Sequence, residues 1–119
     1  MKINIYTDGS SKGNPGKGGY GVIIKALNKT LELSQGYRLT TNNRMELLAV
    51  IIGLESINKD HQTITVTSDS KYVIDSVEKG WVFNWEKKGF TKKKNPDLWK
   101  RFLIVYRKHN VNFKWIRGH

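Results

Sequence analysis

Three acidic residues occupy positions where their carboxylates could hold a metal ion. Asp8 follows one alternating run and Asp69 follows another, so each closes a predicted β-strand. If the two strands point the same way, the aspartates meet at one sheet edge, over which Glu46, in the first turn of a predicted helix, could lean. Three adjacent carboxylates repel one another unless a cation neutralises them, and oxygen ligands of this kind suit Mg²⁺ or Mn²⁺.

Each acid also has a structural interpretation that involves no metal. Asp8 precedes Gly9 and is typical of a turn, while Asp69 is typical of the N-cap of the next helix. Asn43 and Glu46 have the spacing of a capping box, with Asn43 as the N-cap and Glu46 at N3. Taken one residue at a time, the pattern favours these structural roles and does not bring the three acids together.

The composition predicts one basic domain that contacts a polyanion. The chain has 119 residues, with 21 Lys and Arg against 10 Asp and Glu and a formal net charge of +11. Nucleic acid is the leading partner because basic side chains displace counterions from its phosphates. A basic surface without a specific role is the alternative, but the segment Lys79–Arg117 holds twelve of the basic residues and only two acids. The lack of cysteine and of any membrane-spanning segment favours a cytoplasmic protein.

The order of the predicted elements indicates a mixed α/β (α+β) domain. Three strands form an antiparallel meander, and a helix, a strand, further helices and a last strand follow. The predicted strands are Lys2–Thr7, Tyr20–Lys25, Thr30–Tyr37, Thr63–Ser68 and Val111–Ile116, and the predicted helices run from Asn43 to Ile57, from Ser70 to Glu78 and from Asp97 to His109.

The glycine-rich segment Gly9–Gly19 is predicted to be an irregular turn between paired strands. Gly16, Gly18 and Gly21 have the spacing of a dinucleotide-binding motif, but they lead into a strand, so no helix N-terminus is available for a pyrophosphate. A P-loop is excluded because Lys17 is not followed by Ser or Thr, and the chain is too short for a kinase.

Six short segments carry a more specific signal than any single residue. They are Thr-Asp-Gly-Ser at 7–10, Gly-Asn-Pro-Gly at 13–16, Gly-Gly-Tyr-Gly at 18–21, Thr-Thr-Asn-Asn-Arg-Met-Glu at 40–46, Ser-Asp-Ser-Lys-Tyr-Val at 68–73 and Trp-Ile-Arg-Gly-His at 115–119. In this order they closely resemble type 1 ribonuclease H over nearly the whole chain. The resemblance implies a ribonuclease H-like fold, a five-stranded mixed sheet with flanking helices, and Mg²⁺-dependent hydrolysis of the RNA strand of RNA–DNA hybrids.

The resemblance also implies roles for four residues in catalysis. Asp8, Glu46 and Asp69 match three of the four metal-binding carboxylates of the family. Two Mg²⁺ ions, or Mn²⁺, would flank the scissile phosphate, one activating the attacking water and the other stabilising the leaving 3′ oxygen. His119 matches the family's mobile histidine, which assists proton transfer or product departure; a frayed chain end is the alternative.

A hybrid-binding surface is implied beside these carboxylates. Thr41 and Asn95 match residues that grip a phosphate of the DNA strand. Asn14, Asn42 and Asn43 match residues that line the minor groove, where 2′-hydroxyl groups distinguish RNA from DNA.

Residues 80–95 match the basic protrusion that some members of the family carry. Aromatic rings against sugars and ammonium groups on phosphates would hold the DNA strand there. The side chains concerned are Trp81, Trp85, Lys87, Lys88 and Lys92–Lys94. The alternative for one of the two tryptophans is a place in the core.

The resemblance predicts a single ribonuclease H domain over residues 1–119 that acts as a monomer and ends before the family's last helix and fourth carboxylate. The alternative function is a hybrid-binding or nucleic-acid-binding module with weak or no catalysis, because that carboxylate supplies a metal ligand. A transposase or integrase core fits less well, since its acids would be expected without the glycine-rich segment and the Trp81 protrusion.

Overall fold

Five strands and four helices form the fold in this computed structural model, which describes residues 2–118. The strands are β1 Lys2–Gly13, β2 Gly16–Ala26, β3 Lys29–Thr40, β4 Thr63–Ser68 and β5 Asn110–Trp115; the helices are α1 Asn42–Glu55, α2 Lys71–Glu78, α3 Trp81–Lys87 and α4 Pro96–Tyr106. None of the helices within the described part of the chain is long and apolar enough to cross a bilayer.

The sheet has the order β3-β2-β1-β4-β5 and is mixed. β1, β2 and β3 form the predicted antiparallel meander, while β4 is parallel to both β1 and β5. The predicted five-stranded mixed fold is therefore confirmed. Because β1 and β4 are parallel, the residues that follow their paired segments lie at the same edge of the sheet.

The sequence pattern predicted that the first strand ends at Asp8, but β1 continues beyond this residue. β1 stays paired with β2 as far as Gly13, opposite Gly16, so the turn between them consists of Asn14 and Pro15 alone. Gly and Ser residues have low strand propensity, but cross-strand pairing overrides that preference here. Asp8 is thus a residue within a strand, and the broad turn predicted for residues 9–19 is wrong.

The start of α1 also differs from the prediction. Thr41 is the N-cap: its backbone is extended, and its side-chain oxygen accepts a hydrogen bond from the Arg44 N–H at 3.2 Å. Asn43 therefore lies inside the first turn, and the predicted capping box is wrong. Glu46 is left free to point towards the sheet.

The core lies between the sheet and α1, with α4 packed against α1. α1 is buried on most sides, and Gly53 allows a close approach to β1, since a Cβ there would lie 2.7 Å from Cγ2 of Ile5. Trp99 and Phe102 of α4 are fully buried and pack edge to face. The first turn of α1 therefore lies against Gly9 of β1, next to the carboxyl end of β4.

Candidate functional site

The three acids of the sequence prediction meet at one edge of the sheet. Asp8 comes from β1, Asp69 directly follows β4, and Glu46 projects from α1. Each offers one carboxylate oxygen, and these three oxygens all lie within 4.8 Å of one another. Asp8 is exposed, Asp69 is half-buried and Glu46 is only 8% exposed. The cluster thus has a buried base and an open side, at a cavity of about 450 Å³.

Glu46 is the buried carboxylate of the cluster. Its Oε1 accepts a hydrogen bond of 2.8 Å from the Gly9 N–H, while its buried Oε2 has no partner within residues 2–118. The pKa of Glu46 is raised to about 8, mainly by burial and further by the neighbouring Asp69 and Asp8 carboxylates, while the hydrogen bond from Gly9 lowers it. An unpaired buried oxygen beside two carboxylates fits a divalent cation with oxygen ligands.

Asp69 is held by the end of β5, which the sequence analysis did not identify as part of the site. The Trp115 indole Nε1 donates to the Asp69 carbonyl at 3.2 Å, and the Ile116 N–H donates to the Ser68 carbonyl at 3.0 Å. Gly118 leaves no space for a side chain, because a Cβ there would lie 2.5 Å from Asp69 Oδ2. Ser70, not Asp69, is the N-cap of α2, so the Asp69 carboxylate is not used for capping.

The asparagines predicted for the minor groove surround the start of α1. Oδ1 of Asn14 accepts from the Asn42 N–H at 2.9 Å, and the Ser11 N–H donates to Asn42 Oδ1 at 2.5 Å. The β1–β2 turn is therefore fastened to the helix N-terminus. Asn43 is exposed beside them and lines the same cavity as the carboxylates.

Thr41 and Asn95, predicted to grip a phosphate, line one cavity of about 570 Å³ with Lys93 and Lys94. Asn95 has a positive φ of 62° immediately before α4. Its Oδ1 accepts from the Arg44 guanidinium at 3.1 Å. Two lysines and several asparagines thus line this cavity, and the phosphate contact of Thr41 and Asn95 stays a prediction.

A network that the sequence analysis missed orients the Asn95 amide. Arg44 also forms a bidentate pair with Asp97, with distances of 3.1 and 2.8 Å. On the other side, Asn95 Nδ2 donates to the Tyr72 hydroxyl at 3.1 Å, and Trp99 Nε1 donates to the same oxygen at 2.8 Å. The Asn95 side chain therefore has a defined orientation before any ligand is present.

The predicted basic protrusion at residues 80–95 contains α3. Trp81 is 43% exposed, with Lys79 Nζ at 5.3 Å from its ring centroid. Trp85 is half-buried against Trp99 and carries Lys93 Nζ at 5.3 Å from its ring centroid. Trp85 thus belongs partly to the core. The exposed basic side chains of this segment are Lys87, Lys88 and Lys92–Lys94.

His119 lies outside the described residues, so its predicted role stays a prediction. The remaining residues of the predicted site occupy two neighbouring cavities or the protrusion beside them. The carboxylate cavity and the Thr41–Asn95 cavity share Asn42 and Asn43, which form the ridge between them.

Comparison with known proteins agrees with this geometry. The RNase H family model matches residues 1–119. The chain belongs to the ribonuclease H family. A ribonuclease H from Trichodesmium erythraeum (strain IMS101) is 50% identical over 123 residues, which cover 99% of this chain and 78% of that relative. Among solved structures, LC9-RNase H1, a type 1 RNase H with the type 2 active-site motif, is 28% identical with a TM-score of 0.87, over 99% of this chain and 64% of that one.

A second solved structure, LC11-RNase H1 in complex with an RNA/DNA hybrid, is 28% identical with a TM-score of 0.68, over 97% of this chain and 85% of that one. The predicted resemblance to type 1 ribonuclease H is confirmed. The chain belongs to a family of hydrolytic enzymes that use divalent metal ions, and the family and the fold support cleavage of the RNA strand of hybrids.

Proposed function

We propose that this ribonuclease H domain cuts the RNA strand of RNA–DNA hybrids by a two-metal mechanism. The observation that carries the proposal is the meeting of Asp8, Glu46 and Asp69 within 4.8 Å, next to a strongly basic surface. A polyanion would collect on the basic surface, and the few acids would hold the cations needed at one of its phosphates.

Asp8, Glu46 and Asp69 would hold two Mg²⁺ ions, with Mn²⁺ as a substitute. When bound, the ions activate a water and stabilise the charge that develops on the leaving 3′ oxygen. Glu46 would release its proton to solvent on binding a cation, and the Gly9 N–H holds one of its oxygens at 2.8 Å. The position of Asp69 is set by Trp115 and Gly118.

The chain's own residues would position the hybrid. Asn14, Asn42 and Asn43 would face the minor groove, where amide groups can bond the 2′-hydroxyls of the RNA strand. Thr41 and Asn95 would hold a phosphate of the DNA strand on the far side of this ridge.

The protrusion would extend the contact with the DNA strand. Its exposed ammonium groups would contact phosphates, and the ring of Trp81 would stack on a sugar or base. We take a cytoplasmic monomer as the acting form, which suits a chain without cysteine.

The test is cleavage of a hybrid labelled in its RNA strand, with Mg²⁺, by the parent and by Asp8→Asn. Asp60→Asn, which changes an exposed aspartate in the loop before β4, is the matched control. The parent and the control should cut the RNA strand, and Asp8→Asn should bind the hybrid without cutting it. If the parent binds but does not cut, the domain is a hybrid-binding module and the enzymatic proposal is wrong.

A further inference from the structure

β3 is a long, open edge of the sheet. It has twelve residues, against six in β5 at the other edge, and no other strand of residues 2–118 pairs with its outer side. Its pairing with β2 is regular from Lys29 to Tyr37, without a proline or a bulge. Leu31 and Leu39 on this strand are 48% and 73% exposed. A long regular edge of this kind is a template for another strand.

Two charges on this edge have no counter-charge within one chain. Glu32 and Arg38 are exposed, and neither forms an ion pair within residues 2–118. They are six residues apart on one strand, or roughly 20 Å, so they cannot pair with each other. The segment Glu32–Arg38 has no net charge, although the chain as a whole carries +11. Two copies of the chain therefore repel each other less here than at the basic segment Lys79–Arg117.

The positions of the two charges select one way of pairing two copies. In a continuous sheet, a two-fold axis between two copies of an edge strand makes the strands antiparallel. Directly opposite residues then both point their backbone groups towards the partner strand or both away from it. The numbers of opposite residues must therefore both be even or both be odd. Glu32 can face Arg38 of a second copy, with Gln35 on the axis, but it cannot face Lys29.

The same register places complementary side chains opposite each other on both faces of the sheet. On one face, Glu32 of each copy lies opposite Arg38 of the other copy, which gives two ion pairs. On the other face, Leu33 of each copy lies opposite Tyr37 of the other copy, and both residues are only half-buried within one chain. Opposite charges and aromatic–aliphatic pairs in these positions stabilise an antiparallel pair of strands.

We infer that two copies of this domain associate reversibly by pairing β3 with β3, from Glu32 to Arg38, so that their two five-stranded sheets become continuous. Seven residues from each chain bury less than the roughly 1,200 Å² of a standard interface, so we expect a dissociation constant of roughly 10–300 µM.

The pairing leaves the carboxylate site of each copy intact. The three acids lie on β1, on α1 and directly after β4, and none of these elements takes part in the contact. Each copy keeps its own site, so the monomer stays the acting form of the proposed enzyme. The inference does not depend on the proposed cleavage, and either can fail without the other.

The first experiment measures association by sedimentation velocity from about 10 µM to about 1 mM protein near 0.15 M salt. The parent should dimerise over this range. Glu32→Arg and Arg38→Glu each place like charges opposite each other twice, so each should raise the dissociation constant roughly tenfold or more. The two variants change the net charge in opposite directions, so an effect of net charge alone would strengthen one association and weaken the other.

An equimolar mixture of the two variants is the matched control. In a mixed dimer both charges of one chain are positive and both charges of the other are negative, so association should return to within roughly threefold of the parent. Glu32→Arg/Arg38→Glu should also associate as the parent does. A parent that stays monomeric at about 1 mM would overturn the inference and leave the edge to a strand of another protein. A mixture that associates no better than the single variants would overturn it as well.

A single thiol on the axis tests the register. The chain has no cysteine, so Gln35→Cys introduces one thiol, which would face its own counterpart at a distance that a disulfide spans. Mild oxidation should therefore give a covalent dimer. In Ser34→Cys the two thiols would lie diagonally, with roughly 7–8 Å between the residues, and should cross-link much more slowly. Equal rates for the two variants would contradict a pairing centred on Gln35.

Discussion

Glu46 should make the stability of the metal-free protein depend on pH. The folded protein keeps the Glu46 proton up to a pKa of about 8, whereas the unfolded chain releases it near 4.5. Between these values the folded state binds more protons, so the free energy of unfolding falls as pH rises through this window. The stabilising effect is complete below about pH 4.5 and is lost above about pH 8.

The size of this effect follows from the pKa difference. At about 1.36 kcal/mol per pH unit, the interval from 4.5 to about 8 sets an upper limit of about 5 kcal/mol. The cavity is open to water on the side of the exposed Asp8, which screens the charges. We therefore expect about 1–3 kcal/mol between pH 5 and pH 9.

Glu46→Gln isolates this contribution. The Gln amide can donate to Asp69 and its oxygen can accept from the Gly9 N–H, so the variant imitates the protonated side chain without titrating. Urea unfolding in EDTA at pH 5, 7 and 9 should give a flatter profile for Glu46→Gln than for the parent. Glu32→Gln, at an exposed position on β3, should retain the parent's profile.

Mg²⁺ provides the complementary measurement. The cation binds the deprotonated cluster, so saturating Mg²⁺ should restore the stability of the parent at pH 9 and affect Glu46→Gln much less. If the parent and Glu46→Gln lose stability in parallel from pH 5 to pH 9, burial of the carboxylate is not what destabilises the site and the reasoning is refuted.

Three other changes test the remaining interactions. Arg44→Lys should cost under about 1 kcal/mol in urea unfolding, because the pair with Asp97 is largely exposed, but should weaken hybrid binding several-fold as Asn95 loses a donor; unchanged binding would contradict this. Gly118→Ala should weaken Mg²⁺ binding, measured by titration, with little change in melting temperature, because its Cβ displaces the Asp69 carboxylate. Replacing the protrusion lysines by Ala should lower the salt slope of hybrid binding by about 0.9 for each phosphate that they neutralise in the parent, and an unchanged slope would exclude the protrusion from the interface. The residues replaced are Lys87, Lys88 and Lys92–Lys94.

The order of the elements was predictable because it depends on local patterns. Alternation predicted β4 with the limits that the structure shows, and the apolar periodicity predicted α1 and α4 to within a few residues. The predicted element boundaries that were wrong depend on residues that are distant in the sequence. β1 continues to Gly13 because β2 pairs with it, and Thr41 caps α1 where the local motif favoured Asn43.

The candidate site was likewise only partly predictable from the sequence. The motifs identified the family and named Asp8, Glu46 and Asp69 as ligands, but no spacing showed how close the three acids lie. The sequence did not predict the hydrogen bonds that hold Asp69 and Asn95 in place. These bonds come from Trp115 and Arg44, which are distant from them in the sequence.

The sequence by itself determined the chemical groups of this protein: few acids, many bases, and the motifs of the ribonuclease H family. The tertiary structure determined how far apart these groups lie and how deeply they are buried. Asp8 and Glu46 are separated by more than thirty residues, and only the packing of α1 on the sheet buries one beside the other and raises the pKa of Glu46 to about 8. The reason is physical: composition fixes which charges exist, whereas distance and desolvation, which decide their energies, depend on the fold.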